Sequence, residues 1–363
     1  MLGTNITFEG VKGVGTIALE LQPDQRVYTF IGVNGIGKTK MLEALFQYLL
    51  ISYSHIAYYH WQHISNFIVF NSIKINNNYI EDIVRTKSIH PEMIPKHSLP
   101  ILFLASQNRG FIQHNNNNIK SIGSFNERHD KYISKIINQM ENNSVSINME
   151  TNIESWFMTL AQSSNPYQKA EDNREIEIKT VLKLLNQIDS SIDSNFLEIS
   201  GDGRVSLKID NQKRELSHLS TGFASILKII QAIVSGYSYF TNEQQLQNVK
   251  GIVLIDEIES HLHIAWQAQI TPLLKRLFPN TTFYISTHSS IVLSQLEEGE
   301  AYRLQRDADG IVRTHLIKSP NNAAIVDVLK DAFGIDLNQM KLERMSATQQ
   351  ADAKQRLLAL INQ

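Results

Sequence analysis

The stretch Gly32-Val33-Asn34-Gly35-Ile36-Gly37-Lys38-Thr39 fits the pattern G-x-x-x-x-G-K-[ST] in full. A loop of this kind turns its backbone N–H groups inward around a triphosphate, and glycines at 32, 35 and 37 allow the close approach and unusual dihedrals this requires. Lys38 offers a positive point charge to the β- and γ-oxygens and Thr39 a hydroxyl to Mg2+, while a helix beginning near Lys38 aims its positive end at the phosphates. Asn34, Gly35, Gly37, Lys38 and Thr39 are therefore candidate nucleotide contacts. A second motif, Ile252-Val253-Leu254-Ile255-Asp256-Glu257, is a run of four apolar β-formers ending in two acids. Buried central strands of parallel sheets have this pattern, and such sheets place ligands at the strands' carboxyl ends. Asp256 there would hold Mg2+, and Glu257 could orient and deprotonate an attacking water. Alone, the pair would read as a strand capped by solvated acids; the phosphate loop gives it a chemical role.

Two further features carry chemistry in company. Leu219-Ser220-Thr221-Gly222-Phe223 stands at the mouth of an apolar helix, so a hydroxyl and backbone N–H groups converge where an anion could bind. Read alone, it is an N-capped buried helix with Ser220 or Thr221 as the cap. His288, in Ser286-Thr287-His288-Ser289, ends the strand that follows the acidic pair.

The elements that must position these residues follow from periodicity and turn chemistry. Val27–Ile31 reads as a buried strand before the loop, and a long helix runs from the loop to about Asn66. Short strands are expected around Phe67–Phe70 and Ile73–Ile75, with asparagines 76–78 as a turn, and another buried strand at Ile101–Ala105 after a segment punctuated by Pro91, Pro95 and Pro100. From about Phe111 the character changes to a polar loop, His114–Asn118, and to helical patterns around Ile133–Met140 and Ile178–Leu185. A hairpin through Gly201-Asp202-Gly203 joins Phe196–Ile199 to Val205–Ile209. A helix from Gly222 to about Tyr237, a strand Ile252–Ile255, a helix from about Ile264 to Phe278, a strand Phe283–Ser286 and a hairpin about Asp309-Gly310 complete the core. The tail, Ser346 to Gln363, is an amphipathic helix that packs on its own core or docks a partner.

With 363 residues the chain suffices for one large α/β domain with an insertion, or for two domains. The absence of cysteine excludes a disulfide framework, a cysteine-zinc site and a thiol nucleophile, and fits a reducing cytoplasm. No signal peptide or membrane-spanning run is expected. A net charge of −2 excludes a generally basic nucleic-acid coat but not a local basic groove.

The four motifs, in their order along the chain, resemble those of ABC-type ATPases, and within them the non-transporter branch of RecF, SMC-type proteins and the OLD-like ATPases of prokaryotic antiviral systems. Glu257-Ile258-Glu259-Ser260-His261-Leu262-His263 is similar to the acidic-then-histidine segment that OLD-like proteins carry where transporters have a D-loop, and Asn321–Ile335 resembles their closing segment. The resemblance covers nearly the whole chain, with about Phe111 to Asn195 unmatched. It implies an α/β P-loop NTPase: an ABC-ATPase-like core with a mixed sheet, an antiparallel β subdomain and an inserted helical lobe. The implied organisation is an N-terminal lobe 1–110, a helical insertion 111–195, a C-terminal lobe 196–318 and a helical segment 319–363. ATP and Mg2+ are the implied cofactors. Lys38 and Thr39 become phosphate and Mg2+ contacts, Asp256 a Mg2+ ligand, Glu257 the general base and His288 the γ-phosphate sensor. Ser220 and Gly222 would act on ATP bound by another protomer, in a signature that departs from the family form at Thr221 and Phe223. Gln107 is the candidate Q-loop glutamine, and Lys12 the basic residue of the first hairpin.

The expected protein is a cytoplasmic ATPase that works as a nucleotide-driven dimerisation switch, forming a homodimer or higher homo-oligomer. Resemblance to the Septu and PARIS families implies that it senses infection and controls a separately encoded effector, a nuclease or toxin. A RecF-like DNA-binding repair ATPase is the alternative, with DNA as a possible ligand. A transporter's nucleotide-binding subunit is a third reading, disfavoured by the unmatched helical lobe.

Overall fold

The computed structural model describes residues 3–76, 78–80, 94–110, 112, 122–149, 152–164, 167, 169, 172–322 and eight single positions between 327 and 340. The asparagine loop 114–118 and the tail 346–363 lie outside the described residues, as does most of the closing segment 321–335.

In chain order, the strands and helices begin with β1 (Asn5–Val11), β2 (Gly15–Glu20), β3 (Val27–Ile31), α1 (Lys38–Ser52), α2 (Tyr58–Ser65), β4 (Ser72–Ile75), β5 (Asn78–Ile80) and β6 (Ile101–Leu104). They continue with α3 (Phe125–Asn142), α4 (Ile153–Ser163), α5 (Glu175–Ile188), β7 (Glu198–Ile199), β8 (Val205–Ile209), β9 (Gln212–Glu215) and α6 (Thr221–Ser238). The remainder are β10 (Gly251–Ile255), α7 (Ile264–Gln267), α8 (Ile270–Leu277), β11 (Thr281–Ser286), α9 (Ser290–Leu293), β12 (Ala301–Arg306) and β13 (Val312–Leu316).

Ten strands form one mixed sheet in the order β5-β4-β1-β2-β13-β12-β3-β11-β10-β6. Its parallel half, β12-β3-β11-β10-β6, consists largely of apolar β-formers buried on both faces, the pattern expected where helices cover both sides. The antiparallel half, β5-β4-β1-β2, is joined to it by β13, which runs antiparallel to β12 and parallel to β2. A separate antiparallel sheet, β7-β8-β9, leads into α6. Helix α6 is apolar almost all round and buries nearly its whole length, whereas α3 and α5 bury one face only. The fold is thus an α/β P-loop architecture with a mixed sheet, an antiparallel wing and a helical lobe, as the motif order implied.

Three local expectations are corrected. The helix after the phosphate loop does not reach Asn66 unbroken: Tyr53 turns extended and bridges His97, and Ser54 N–H donates to the His97 carbonyl at 2.8 Å, so this backbone pairs with the segment before β6. Phe67–Phe70 is not a strand, because Val69 gives its N–H to Gln47 Oε1 and its carbonyl to Lys12 N–H, leaving no ladder partner. The helix expected over Ile264–Phe278 breaks into α7 and α8 at Gln269. Pro272 supplies the reason: it has no N–H to give Ala268, and its ring would press on that carbonyl.

The helical lobe also holds a buried ion pair. Arg174 Nε donates to Glu177 Oε1 at 3.0 Å with both side chains nearly inaccessible. Glu177→Ala would strand a buried guanidinium, and a loss of about 3–5 kcal/mol is expected from denaturant midpoints of the two proteins.

Candidate nucleotide site

β3 delivers the chain to the loop at 32–37, and α1 starts at Lys38 with Gly37 as its N-cap at φ 107°. That left-handed position admits glycine freely, and a Cβ there would lie 2.9 Å from the Val14 methyls, so the β1–β2 turn closes against the loop. Lys38 is buried, and its ammonium donates to the carbonyls of Gly32 at 2.8 Å and Val33 at 3.2 Å. Burial lowers its pKa to about 8, against the pull of Asp256, Glu259 and Glu257. Lys12 sits in the same turn as Val14 but is exposed.

The acidic pair is held from three sides. Thr39 Oγ1 lies 3.1 and 3.0 Å from the two oxygens of the buried Asp256 carboxylate. Ser286, at the end of β11, donates its hydroxyl to Asp256 Oδ1 at 2.6 Å and accepts the Glu257 N–H at 2.8 Å. Burial raises the Asp256 carboxyl above its usual range, while Ser286 and Thr39 lower it. Glu257 adopts φ 46°, a left-handed conformation that costs a non-glycine residue about 1–2 kcal/mol. The turn sends the chain away from β10 at that point, and Ser260 Oγ donates to Glu257 Oε2 at 3.2 Å.

His288 is half-buried at the end of β11, and its backbone N–H donates to Glu259 Oε1 at 2.6 Å. Thr287 Oγ1 donates to the other Glu259 oxygen at 2.6 Å, so the second acid after Asp256 fixes the histidine's backbone. Ser220, not Thr221, caps α6, accepting the Phe223 N–H at 3.3 Å. Ser220 and Thr221 are exposed and Gly222 buried, with Trp266 Cδ1 3.3 Å from where a Gly222 Cβ would lie. Among the described residues, no hydrogen bond joins this segment to the loop at 32–39. Gln107 is exposed just beyond β6, with its N–H donating to Val145 O at 3.3 Å.

Sequence reasoning assigned no role to two residues that the site uses. Ser286 stood inside the histidine segment, but only the pairing of β11 with β10 shows that its hydroxyl bridges both acids. Arg109, two residues after Gln107, is fully buried and bonds the backbone of both acids. Burial lowers its pKa to about 10 while Asp256, Glu259 and Glu257 oppose the shift, leaving it charged near neutral pH. A single arginine after a strand gives no signal of such burial, since most are solvated.

The donor set suits a magnesium nucleotide. A hydroxyl and a carboxylate in contact are hard oxygen ligands of the type Mg2+ takes alongside water and phosphate oxygens. A buried ammonium and a helix N-terminus stand beside them for the phosphates.

A family model described as "AAA domain, putative AbiEii toxin, Type IV TA system" matches residues 27–294, from β3 through the histidine segment. The chain belongs to this AAA-domain family. Curated relatives include the Septu protein PtuA of Bacillus thuringiensis, 26% identical over 50% of this chain and 47% of the relative. The "Retron Vc95 probable ATPase" of Vibrio cholerae is 32% identical over 39% of this chain and 28% of its own length. The chain therefore spans less than half the length of these relatives. Among solved structures, an SMC head bound to the C-winged helix domain of ScpA aligns over 87% of this chain and 97% of that one, at 13% identity and TM-score 0.44. A nucleotide-free ATP-binding cassette from an ABC transporter covers 90% of this chain and 95% of its own, at 13% identity and TM-score 0.41. No helix among the described residues is long and apolar enough to cross a membrane.

Proposed function

We propose that this AAA-family chain binds and hydrolyses ATP as a nucleotide-driven dimerisation switch, and that it serves as the sensor subunit of an antiphage system controlling a separate nuclease or toxin. The observation that carries the ATPase reading is the hydrogen-bonded set Thr39–Asp256–Ser286–Glu257, which ties the first turn of α1 to the ends of β10 and β11. In this reading Asn34, Gly35, Gly37 and Lys38 bind the phosphates, Thr39 and Asp256 hold Mg2+, Gln107 serves as the Q-loop glutamine and His288 senses the γ-phosphate. Glu257 takes the proton of the attacking water through its carboxylate. Magnesium, held by Thr39 and Asp256, would supply charge neutralisation to the phosphates when bound. The defence role rests on the similarity to the Septu and retron relatives.

Exposed Ser220 at the head of α6, with no bond to its own chain's phosphate loop, supports a contact to nucleotide held by a second copy. Two copies would then enclose two ATP molecules, and hydrolysis would release them. Light scattering with ATP and Mg2+ should give a dimer mass, while Ser220→Trp, which crowds that contact, should abolish both association and turnover. A monomer under all conditions, with Ser220→Trp turning over ATP normally, would discard the switch. ATP turnover stimulated by DNA with a steep salt dependence would favour the RecF-like alternative instead.

A further inference from the structure

We propose that Arg109 is a positioning residue that sets the geometry of the Asp256–Glu257 turn and so the aim of the Glu257 carboxylate; this rests on the ATPase reading above. Its guanidinium donates through Nη1 to the Glu257 carbonyl at 2.8 Å, and through Nη2 to the carbonyls of Leu104 at 2.8 Å and Asp256 at 2.7 Å. These three acceptors stand where the parallel pairing of β6 with β10 ends, and Leu104 O also accepts the Asp256 N–H at 2.9 Å. Beyond that point β6 gives the turn no further ladder bond, and β11 reaches it only through the Ser286 carbonyl, which accepts the Ile258 N–H at 3.1 Å. The Glu257 carbonyl also accepts the Ser260 N–H at 2.9 Å, so the Asp256 carbonyl is the acceptor that depends most on Arg109. A buried carbonyl left unpaired is costly, and charged donors satisfy it more strongly than neutral ones.

The clamp acts where the backbone is strained. Glu257 at φ 46° is held at its N–H by Ser286 and at its carbonyl by Arg109, so one residue is gripped on both sides of its left-handed Cα. A guanidinium suits this task because its rigid fork spans carbonyls from two strands, which a lysine ammonium on a flexible stem would hold less firmly. The neighbouring Asn108, itself at φ 64°, gives its carbonyl to the buried Lys228 of α6, so the segment that carries Arg109 is fixed at both ends of its reach. Arg109 makes no hydrogen bond to the loop at 32–39 and is assigned no contact with nucleotide.

The test compares Arg109→Gln and Arg109→Lys with the wild type. Turnover number should fall roughly 10²-fold in the glutamine variant, the scale of a slight misplacement of a catalytic group, with partial recovery in the lysine variant. Affinity for a fluorescent ATP analogue should stay unchanged in both. Unchanged turnover overturns the proposal, and so does a fall matched by lost nucleotide affinity and lost thermal transition, which would mark a merely structural role. If neither variant folds, or if the wild type itself proves inert toward ATP, backbone hydrogen exchange of the intact wild-type chain decides. Peptides across 255–260 protected like β10 support the clamp; exchange at the rate of an exposed loop overturns it. An inert wild type with a protected turn would remove the ATPase reading while leaving the clamp in place.

Discussion

Glu257→Gln is expected to lower ATP turnover by about 10²- to 10⁴-fold, the range for loss of a positioned general base. The glutamine amide has the shape of the carboxylate and can still accept the hydrogen bond from Ser260 Oγ, but it cannot take a proton from water. The main-chain bonds of residue 257, to Ser286 Oγ and from Arg109, do not depend on its side chain. The turn should therefore survive, and nucleotide affinity with it. Because hydrolysis is the step that would separate a pair of ATP-bound copies, the variant should also accumulate as an ATP-dependent dimer, visible by light scattering. Single-turnover phosphate release checks the chemistry; a variant that hydrolyses at the wild-type rate removes Glu257 from the catalytic role.

Lys38→Ala should weaken nucleotide binding. A charge-assisted hydrogen bond contributes about 1.5–3 kcal/mol, which corresponds to roughly a 10- to 150-fold rise in Kd. Lys38 reaches carbonyls of its own loop, and its buried charge is opposed by desolvation, so the fold gives up no ion pair with its removal. Titration calorimetry with ATP and Mg2+ should show the loss while the thermal transition stays near that of the wild type. The two variants separate the steps: the lysine change lowers occupancy, and the glutamate change leaves a site occupied that cannot turn over. Should Lys38→Ala retain wild-type affinity, the loop would not be the phosphate cradle.

The loop and its flanking elements were legible from residues alone because the pattern a phosphate cradle requires is local. The glycines at 32, 35 and 37, the lysine and the threonine lie within eight consecutive positions, and the turn from strand to helix that they require is encoded beside them. Apolar runs such as Ile252–Ile255 likewise declare burial on both faces without reference to any partner. Helix continuity was less legible. The apolar pattern from Leu49 to Trp61 favours a helix, but the backbone at Tyr53 finds its partner at His97, and no periodicity reports a bridge to a residue so distant.

Residue order was enough to read the loop, the acidic strand end, a helix capped by Ser220 or Thr221 and the family to which their succession belongs; the structure chose Ser220 as the cap. Packing settled that Thr39 meets Asp256 across 217 residues, that Ser286 bridges the two acids and that Arg109 lies buried behind them. Strand order and register bring these groups together. β11 pairs between β3 and β10, carrying Ser286 to the acids, and β6 pairs on the far side of β10, bringing Arg109 within reach. An arginine's composition is the same in water as in a core; only the packing of the parallel strands tells the two apart.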